Sequence, residues 1–342
     1  QVPDAVTEIS TMEQPLLASG ERWRGRALGV ILESTEPFAG APVVYGEQTE
    51  RVTSWREESA EAVDNKWKVG EGDLLLERRH SDGRLFLRID GHDEFGFRLW
   101  APYYGRHLVS KNGDTVESAL PSVPPARWQR LFFAQVLPLV SALNGLCLYH
   151  GSAVALGGQV VAFVGPSGSG RTSLTAQLLA LGASFVTDDV LALEKVGEEV
   201  LVHPGPARLS IGEAELRRVP STQLPRIGPC VARSDKLVCE PTPVPAPLPL
   251  TRVYRLRPGA DTTRISIARP EPAGGRSVLG ERYVSYLTAD RFVRRHAALA
   301  ATADNSVRLY DLVLPTACRA RDAAARVLAH CEELVGAVRL RN

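Results

Sequence analysis

The chain has 342 residues, a formal net charge of +1, 44% hydrophobic side chains and 23% charged ones. Such a composition excludes a chain disordered throughout and supports a sizeable core, while the near-neutral charge leaves no global field for attracting nucleic acid. Five cysteines, Cys147, Cys230, Cys239, Cys318 and Cys331, are scattered without a C-x-x-C pair, which argues against a disulfide scaffold and a structural zinc site and for a reducing, cytoplasmic setting.

In chain order, residues 1–20 are polar and read as a flexible N-terminus. The residues present show no basic stretch followed by an apolar one; numbering opens at Gln1 and Met12 is the only methionine, which leaves open a start removed by processing and a targeting segment with it. No apolar run approaches the ~20 residues of a membrane helix. Residues 21–120 form a β-rich region. Runs at 26–32, 73–77, 84–89, 95–100 and 103–109 have strand character, and Ser81-Asp82-Gly83 and Asp90-Gly91 punctuate them as hairpin turns would. The expectation is an N-terminal antiparallel β region. Its aromatic positions, Phe95, Phe97, Trp100, Tyr103 and Tyr104, suit a core face or a peptide-binding surface. The prolines of 121–125 mark a boundary that opens a second region, 121–342. There 126–143 (ARWQRLFFAQVLPLVSAL) predicts an apolar helix kinked at Pro138.

Residues 146–159 read as a strand carrying His150 and ending in a Gly157-Gly158 hairpin turn. The apolar run Val160 to Val164 predicts the strand that follows, and 173–182 (SLTAQLLALG) has helical spacing and stops at Gly182. Between them lies Gly165-Pro166-Ser167-Gly168-Ser169-Gly170-Arg171-Thr172, a phosphate-binding loop in which arginine replaces the usual lysine. A chain wrapping a phosphate needs backbone angles closed to residues with a Cβ, which Gly165, Gly168 and Gly170 provide. The turn's N–H groups and the positive end of the helix, where Ser173 also lies, then converge on one anion site. Thr172 supplies the hydroxyl that such loops offer to magnesium. Arg171 is not a conservative exchange, but its guanidinium donates paired hydrogen bonds suited to phosphate.

The run 183–186 predicts a strand, taken as parallel and adjacent to 160–164, that ends in Thr187-Asp188-Asp189. That arrangement directs both carboxylates at the γ-phosphate region, where one acid can serve a metal and one can accept a proton from an attacking hydroxyl. The proline-rich 241–249 predicts an extended loop. Further on, 277–287 (SVLGERYVSYL), 290–303 and 318–338 look helical, with a strand at 309–314. The basic run 291–296 reads as a solvated helix face.

His150-Gly151-Ser152-Ala153-Val154, the loop GPSGSGRTSL and Thr187-Asp188-Asp189 occur in the order and at the spacing of the catalytic domain of HPr kinase/phosphorylase. The chain resembles still more the bacterial HPr-kinase-like serine kinases found beside peptide-modification genes, lasso-peptide tailoring kinases among them. The resemblance implies an α/β fold: a P-loop nucleotide-binding core of the HPr kinase/PEP carboxykinase-like type, with the N-terminal β region and C-terminal helices added. It implies Asp188 as proton acceptor, His150 as its assistant, Asp189 and Thr172 as metal ligands, and ATP and Mg2+ as the cofactors. More weakly, 203–209, Ser234-Asp235-Lys236 and 249–256 look like later family segments, which makes Arg208 and Lys236 phosphate or substrate contacts. The implied activity is γ-phosphoryl transfer to a Ser or Thr hydroxyl of a peptide or small protein, in a ribosomal-peptide (RiPP) pathway. The expected partners are that substrate and, by analogy with the family's hexamers, a homo-oligomer, with no nucleic acid and no membrane. Two departures stand out. The Glu-x-Arg-Gly segment of authentic HPr kinases is missing, which separates the substrate from HPr. Arg171 supports a second reading, a non-catalytic nucleotide-binding partner in a peptide-modifying assembly.

Overall fold

The computed structural model describes residues 22–46, 50–67, 72–233, 236–259, 262–270, 279–316 and 318–339. The architecture is mixed α/β with several sheets. The chain divides into two compact units: one holds Glu13–Leu148 and Arg282–His296, the other Tyr149–Glu281 and Ala297–Asn342.

The first unit is built on strands β1 (Trp23–Ala27), β2 (Val30–Ser34), β3 (Val52–Glu57), β4 (Asp73–Arg79), β5 (Leu85–His92), β6 (Gly96–Ala101), β7 (Gly105–Val109) and β8 (Thr115–Ala119), with helix α1 (Ala60–Lys66) between β3 and β4. Their order in one sheet is β1-β2-β3-β8-β7-β6-β5-β4. The sheet is not purely antiparallel as expected, because β3 runs parallel to both β2 and β8. The connection from 35 to 51 is long enough to return the chain to the end where β2 began. The run 26–32 is likewise two strands, broken where Leu28 and Gly29 both take positive φ, 51° and 75°, as a two-residue hairpin turn requires.

Phe38 centres the aromatic core of this unit, with Trp23, Trp55, Trp128, Phe132 and Phe133 around it at ring separations of 4.8–6.1 Å. By contrast Phe95 and Tyr103 are 48% and 45% exposed. The expected apolar helix is present as α2 (Pro125–Leu131), a π-helical turn over Phe132–Val136 and α3 (Leu137–Leu143). Pro138 has no N–H to give the Ala134 carbonyl. The Tyr283 hydroxyl donates to that carbonyl instead, at 2.8 Å. Tyr283 falls in the stretch expected to be helical, yet residues 279–289 contain no helix; Gly280, at φ +78°, turns the chain out of a helical path.

The second unit carries the glycine-rich turn. Its elements are β9 (Cys147–His150), within which the division between units falls, β10 (Ser152–Leu156), β11 (Gln159–Val164), α4 (Arg171–Ala180), β12 (Ser184–Thr187), β13 (Val190–Val196), β14 (Glu199–His203), β15 (Leu209–Ile211), α5 (Glu213–Leu216), β16 (Cys230–Arg233), β17 (Leu237–Cys239), β18 (Leu248–Gly259), β19 (Ser266–Ala268), α6 (Asp290–Ser306), which the division also crosses, after His296, β20 (Arg308–Pro315) and α7 (Ala320–Arg339). β10 and β11 form the expected hairpin through Gly157 and Gly158, both at positive φ. β11, β18 and β20 run parallel side by side. β12 does run in the direction of β11, but it is not adjacent: β10 lies between them, antiparallel to each. Leu174, Leu178 and Leu179 of α4 and Val327 of α7 join Phe163, Tyr254 and Leu312 of the sheet in one buried cluster. The amphipathic spacing read for 173–182 and 318–338 has its cause in that cluster.

The expected continuous strand through 146–155 is interrupted at Gly151, so His150 ends β9 and is not on the hairpin strand. A Cβ at Gly151 would lie 2.5 Å from Leu191 Cδ1 and 2.9 Å from the Phe163 carbonyl oxygen. Both neighbours are wholly buried. Gly151→Ala should therefore destabilise the protein by ~2 kcal/mol or more, read as a lower midpoint in chemical denaturation at unchanged slope.

Candidate functional site

Val164 ends β11 in the core, and the chain leaves it through Gly165 at φ +154°, where a Cβ would come within 3.0 Å of the Leu256 carbonyl oxygen on β18. The turn continues through Gly168 (φ +81°) and Gly170 (φ +92°), the latter capping α4 from the left-handed region with no side-chain cap. The first N–H groups of α4 are thus left pointing outward from a glycine turn, the arrangement that receives an anion. Ser167 is exposed, Ser169 and Ser173 half-buried. Ser169 Oγ and Arg171 Nη1 are buried and meet no hydrogen-bond partner among the described residues. A buried donor without a partner costs ~1–3 kcal/mol, and a phosphate oxygen is the acceptor that its chemistry matches.

Thr172, one residue on, donates its hydroxyl to Asp188 at 3.1 and 3.2 Å to the two carboxylate oxygens. The Asp188-Asp189 turn is fixed on several sides. Thr187 Oγ1 donates to the Val190 carbonyl (2.7 Å), and Gly151 N–H donates to the Asp189 carbonyl (3.2 Å). Burial, and after it the Asp189 charge, pushes the Asp188 carboxyl up to about 7, against the Thr172 hydroxyl, the Arg171 charge and the Ser210 N–H. Asp189 is exposed and holds φ +71°, a left-handed conformation uncommon for a residue with a Cβ.

A cleft of about 1050 Å³ opens beside the turn at the carboxyl ends of β11 and β18. His150, Gly165, Ser167, Arg171 and Asp189 line it. The two carboxylates therefore do not present themselves alike: Asp189 faces the cleft, while Asp188 sits behind it on Thr172. His150 reaches the cleft from β9, its N–H bonded to the Glu281 carbonyl at 3.1 Å. Arg208 is half-buried near Glu240, whose carboxyl is raised by burial and lowered by the Arg208 charge, and Lys236 is exposed. Neither is among the lining residues. Ser234 and Asp235 lie outside the described residues.

Sequence reasoning missed the far wall of the cleft. Arg255 and Arg257 line it from β18, and both reach one carboxylate, Asp311 Oδ1, at 2.6 and 3.2 Å. The signal was available: Arg-x-Arg at the end of an apolar strand puts two cations on one face at the carboxyl edge of the sheet. Thr172 and Asp189 would hold a hydrated magnesium ion with phosphate oxygens, the hard oxygen set that ion takes. No group of three or more His, Cys, Asp or Glu side chains in metal-binding geometry occurs among the described residues. No helix among the described residues is long and apolar enough to cross a membrane.

No family model and no curated protein matches the chain. Among solved structures it is similar to the HPr(Ser) kinase/phosphatase from Coxiella burnetii, at 9% identity and TM-score 0.30, over 57% of this chain and 96% of that one. What the site can do follows from its own residues.

A carboxyl raised above its ordinary value favours the protonated fold, so its stabilising contribution is complete below pH ~4 and lost as pH rises through about 7. Asp188→Asn should accordingly raise the melting temperature at pH 8 by several degrees and change it little at pH 4. An equal shift at both pH values would show that the carboxyl does not titrate as its surroundings require.

Proposed function

We propose that this protein binds ATP with Mg2+ at the turn opening at Gly165 and transfers the γ-phosphoryl group to a Ser or Thr hydroxyl of a peptide or small protein, in a peptide natural-product pathway. The observation that carries this reading is Asp188, a carboxyl pushed up to about 7 and bonded to Thr172 at the head of α4, beside a glycine turn. A base of that pKa is about half ionised at neutral pH and takes a proton without a large mismatch. Asp188 accepts the acceptor hydroxyl's proton, and the turn N–H groups with Arg171 hold the phosphate chain in line. Thr172 and Asp189 would hold the ion, which would supply charge neutralisation for the phosphate chain. His150, at the cleft wall, orients the acidic pair. Arg208 and Lys236 contact the acceptor outside the cleft.

Arg171 supports a second reading, a nucleotide-binding partner without turnover, since a guanidinium extends farther than an ammonium and can hold phosphate out of line. Labelled phosphate transfer from γ-labelled ATP and Mg2+ to a panel of serine-containing peptides separates the two. Under the kinase reading transfer occurs and its rate rises with pH through about 7. Asp188→Asn removes it by ~100-fold or more with nucleotide affinity retained, and Arg171→Met weakens nucleotide binding about tenfold or more. Nucleotide binding without transfer, in the wild type and in Arg171→Lys, establishes the second reading. Failure of the wild type to bind nucleotide overturns both.

A further inference from the structure

Cys230 and Cys239 are register partners across the antiparallel strands β16 and β17, with their sulfurs 2.6 Å apart. We propose that they are a reactive dithiol which closes reversibly to a disulfide, an oxidative modification site lying behind the acidic turn. Directly opposed residues of an antiparallel pair have Cα atoms ~4.5–5.5 Å apart, inside the ~4.4–6.8 Å that a disulfide spans; the register shifts only beyond the pair, between Cys230 and Ala232. The backbone on the flank of the pair is already fixed. Glu240 N–H donates to the Pro229 carbonyl at 2.9 Å, and Gly228, at φ +84°, packs so closely that a Cβ there would meet the Glu240 oxygen at 2.0 Å.

The two thiols have different roles. Cys230 is half-buried, and the hydrogen bond it shares with Cys239 lowers its thiol below the ordinary value. Cys239 is fully buried, and the hydrogen bond it shares with Cys230, together with burial, raises its thiol. Cys230, the one sulfur of the pair that solvent reaches, is therefore the one that attacks a low-molecular-weight disulfide such as oxidised glutathione, expelling one thiolate and forming a mixed disulfide. Cys239 then attacks the Cys230 sulfur, its proton leaving with the second expelled thiolate. In sum two protein thiols are oxidised to one disulfide while one external disulfide is reduced to two thiols.

The bond reaches the acidic turn through one ladder. β17 pairs with β15, opposing Cys239 to Leu209 and Val238 to Ser210, and the Ser210 N–H is one of the groups that hold the Asp188 carboxylate. Closing the pair ties β16 to β17 and stiffens the strand that carries Ser210. The proposal does not depend on the protein being a kinase.

The full-length protein, equilibrated with oxidised or with reduced glutathione, is denatured, alkylated and mapped by mass spectrometry. In the oxidised sample Cys230 and Cys239 should be recovered linked and unalkylated while Cys147, Cys318 and Cys331 are alkylated, and reduction should restore all five. The linked protein should melt ~5 °C higher, and the Ser210 amide should exchange several-fold more slowly. Cys230→Ser, at the less buried position, should lose both shifts. Alkylation of both cysteines after oxidation, or glutathione retained on Cys230 with Cys239 alkylated, overturns the proposal; a linked protein with unchanged exchange at Ser210 overturns its connection to the turn.

Discussion

The hydrogen bond from Thr172 to Asp188 joins the first turn of α4 to the end of β12, and the rest of the site is organised around it. It closes a loop of structure in which the glycine turn, the helix it starts and the acidic turn are held at one edge of the sheet. Asp188 has three groups that favour its charge, the Thr172 hydroxyl, Arg171 and the Ser210 N–H, and still its carboxyl is pushed up to about 7. Burial and the neighbouring Asp189 win because a buried charge loses water on most sides, while each hydrogen bond returns only part of that hydration. A shift of this size corresponds to a few kcal/mol held against ionisation.

The fold tolerates that cost because the acidic turn is over-determined from both flanks. Gly151 N–H holds the Asp189 carbonyl, Gly205 N–H holds the Val186 carbonyl at 2.8 Å, and Thr187 bonds across to Val190. Under these bonds Asp189 keeps a left-handed backbone that costs on the order of 1 kcal/mol for a residue with a Cβ. Asparagine and aspartate tolerate that region best, and among them only aspartate adds a charge. Strain and like-charge repulsion therefore meet at adjacent residues, a combination that stability alone does not favour and that an incoming cation would relieve.

The glycine turn, the helix after it and the Gly-Gly hairpin were legible because each follows from local rules: an apolar run, residues free to take positive φ, and a 3.6-residue period. β12 was misplaced because strand order is non-local, and nothing within 183–189 says that β10 intervenes. The strand through His150 was read as continuous because a single glycine within an apolar run does not declare whether it marks a bulge or a break; the answer lies in Leu191, forty residues away, which leaves no room for a Cβ. The helix read over 277–287 failed for a related reason, since its apolar spacing is used by irregular chain that Gly280 turns. Counting cysteines and their spacing could not show that two of the five face each other across paired strands.

Charge within the cleft limits how a nucleotide could be held. Arg171, Arg255 and Arg257 face Asp189 and Glu281 across it, a surplus of one positive charge by count (3 − 2), and Asp311 engages two of those arginines from behind. A triphosphate carries several negative charges, far more than that surplus can neutralise. Its retention at this site would have to come from groups that carry no formal charge, the N–H donors of the turn and the first turn of α4, together with a divalent cation brought by the nucleotide. The arginine at 171 is consistent with such a division: with the backbone carrying most of the contact, the side chain need supply direction more than charge, and a planar guanidinium directs hydrogen bonds better than a rotating ammonium does.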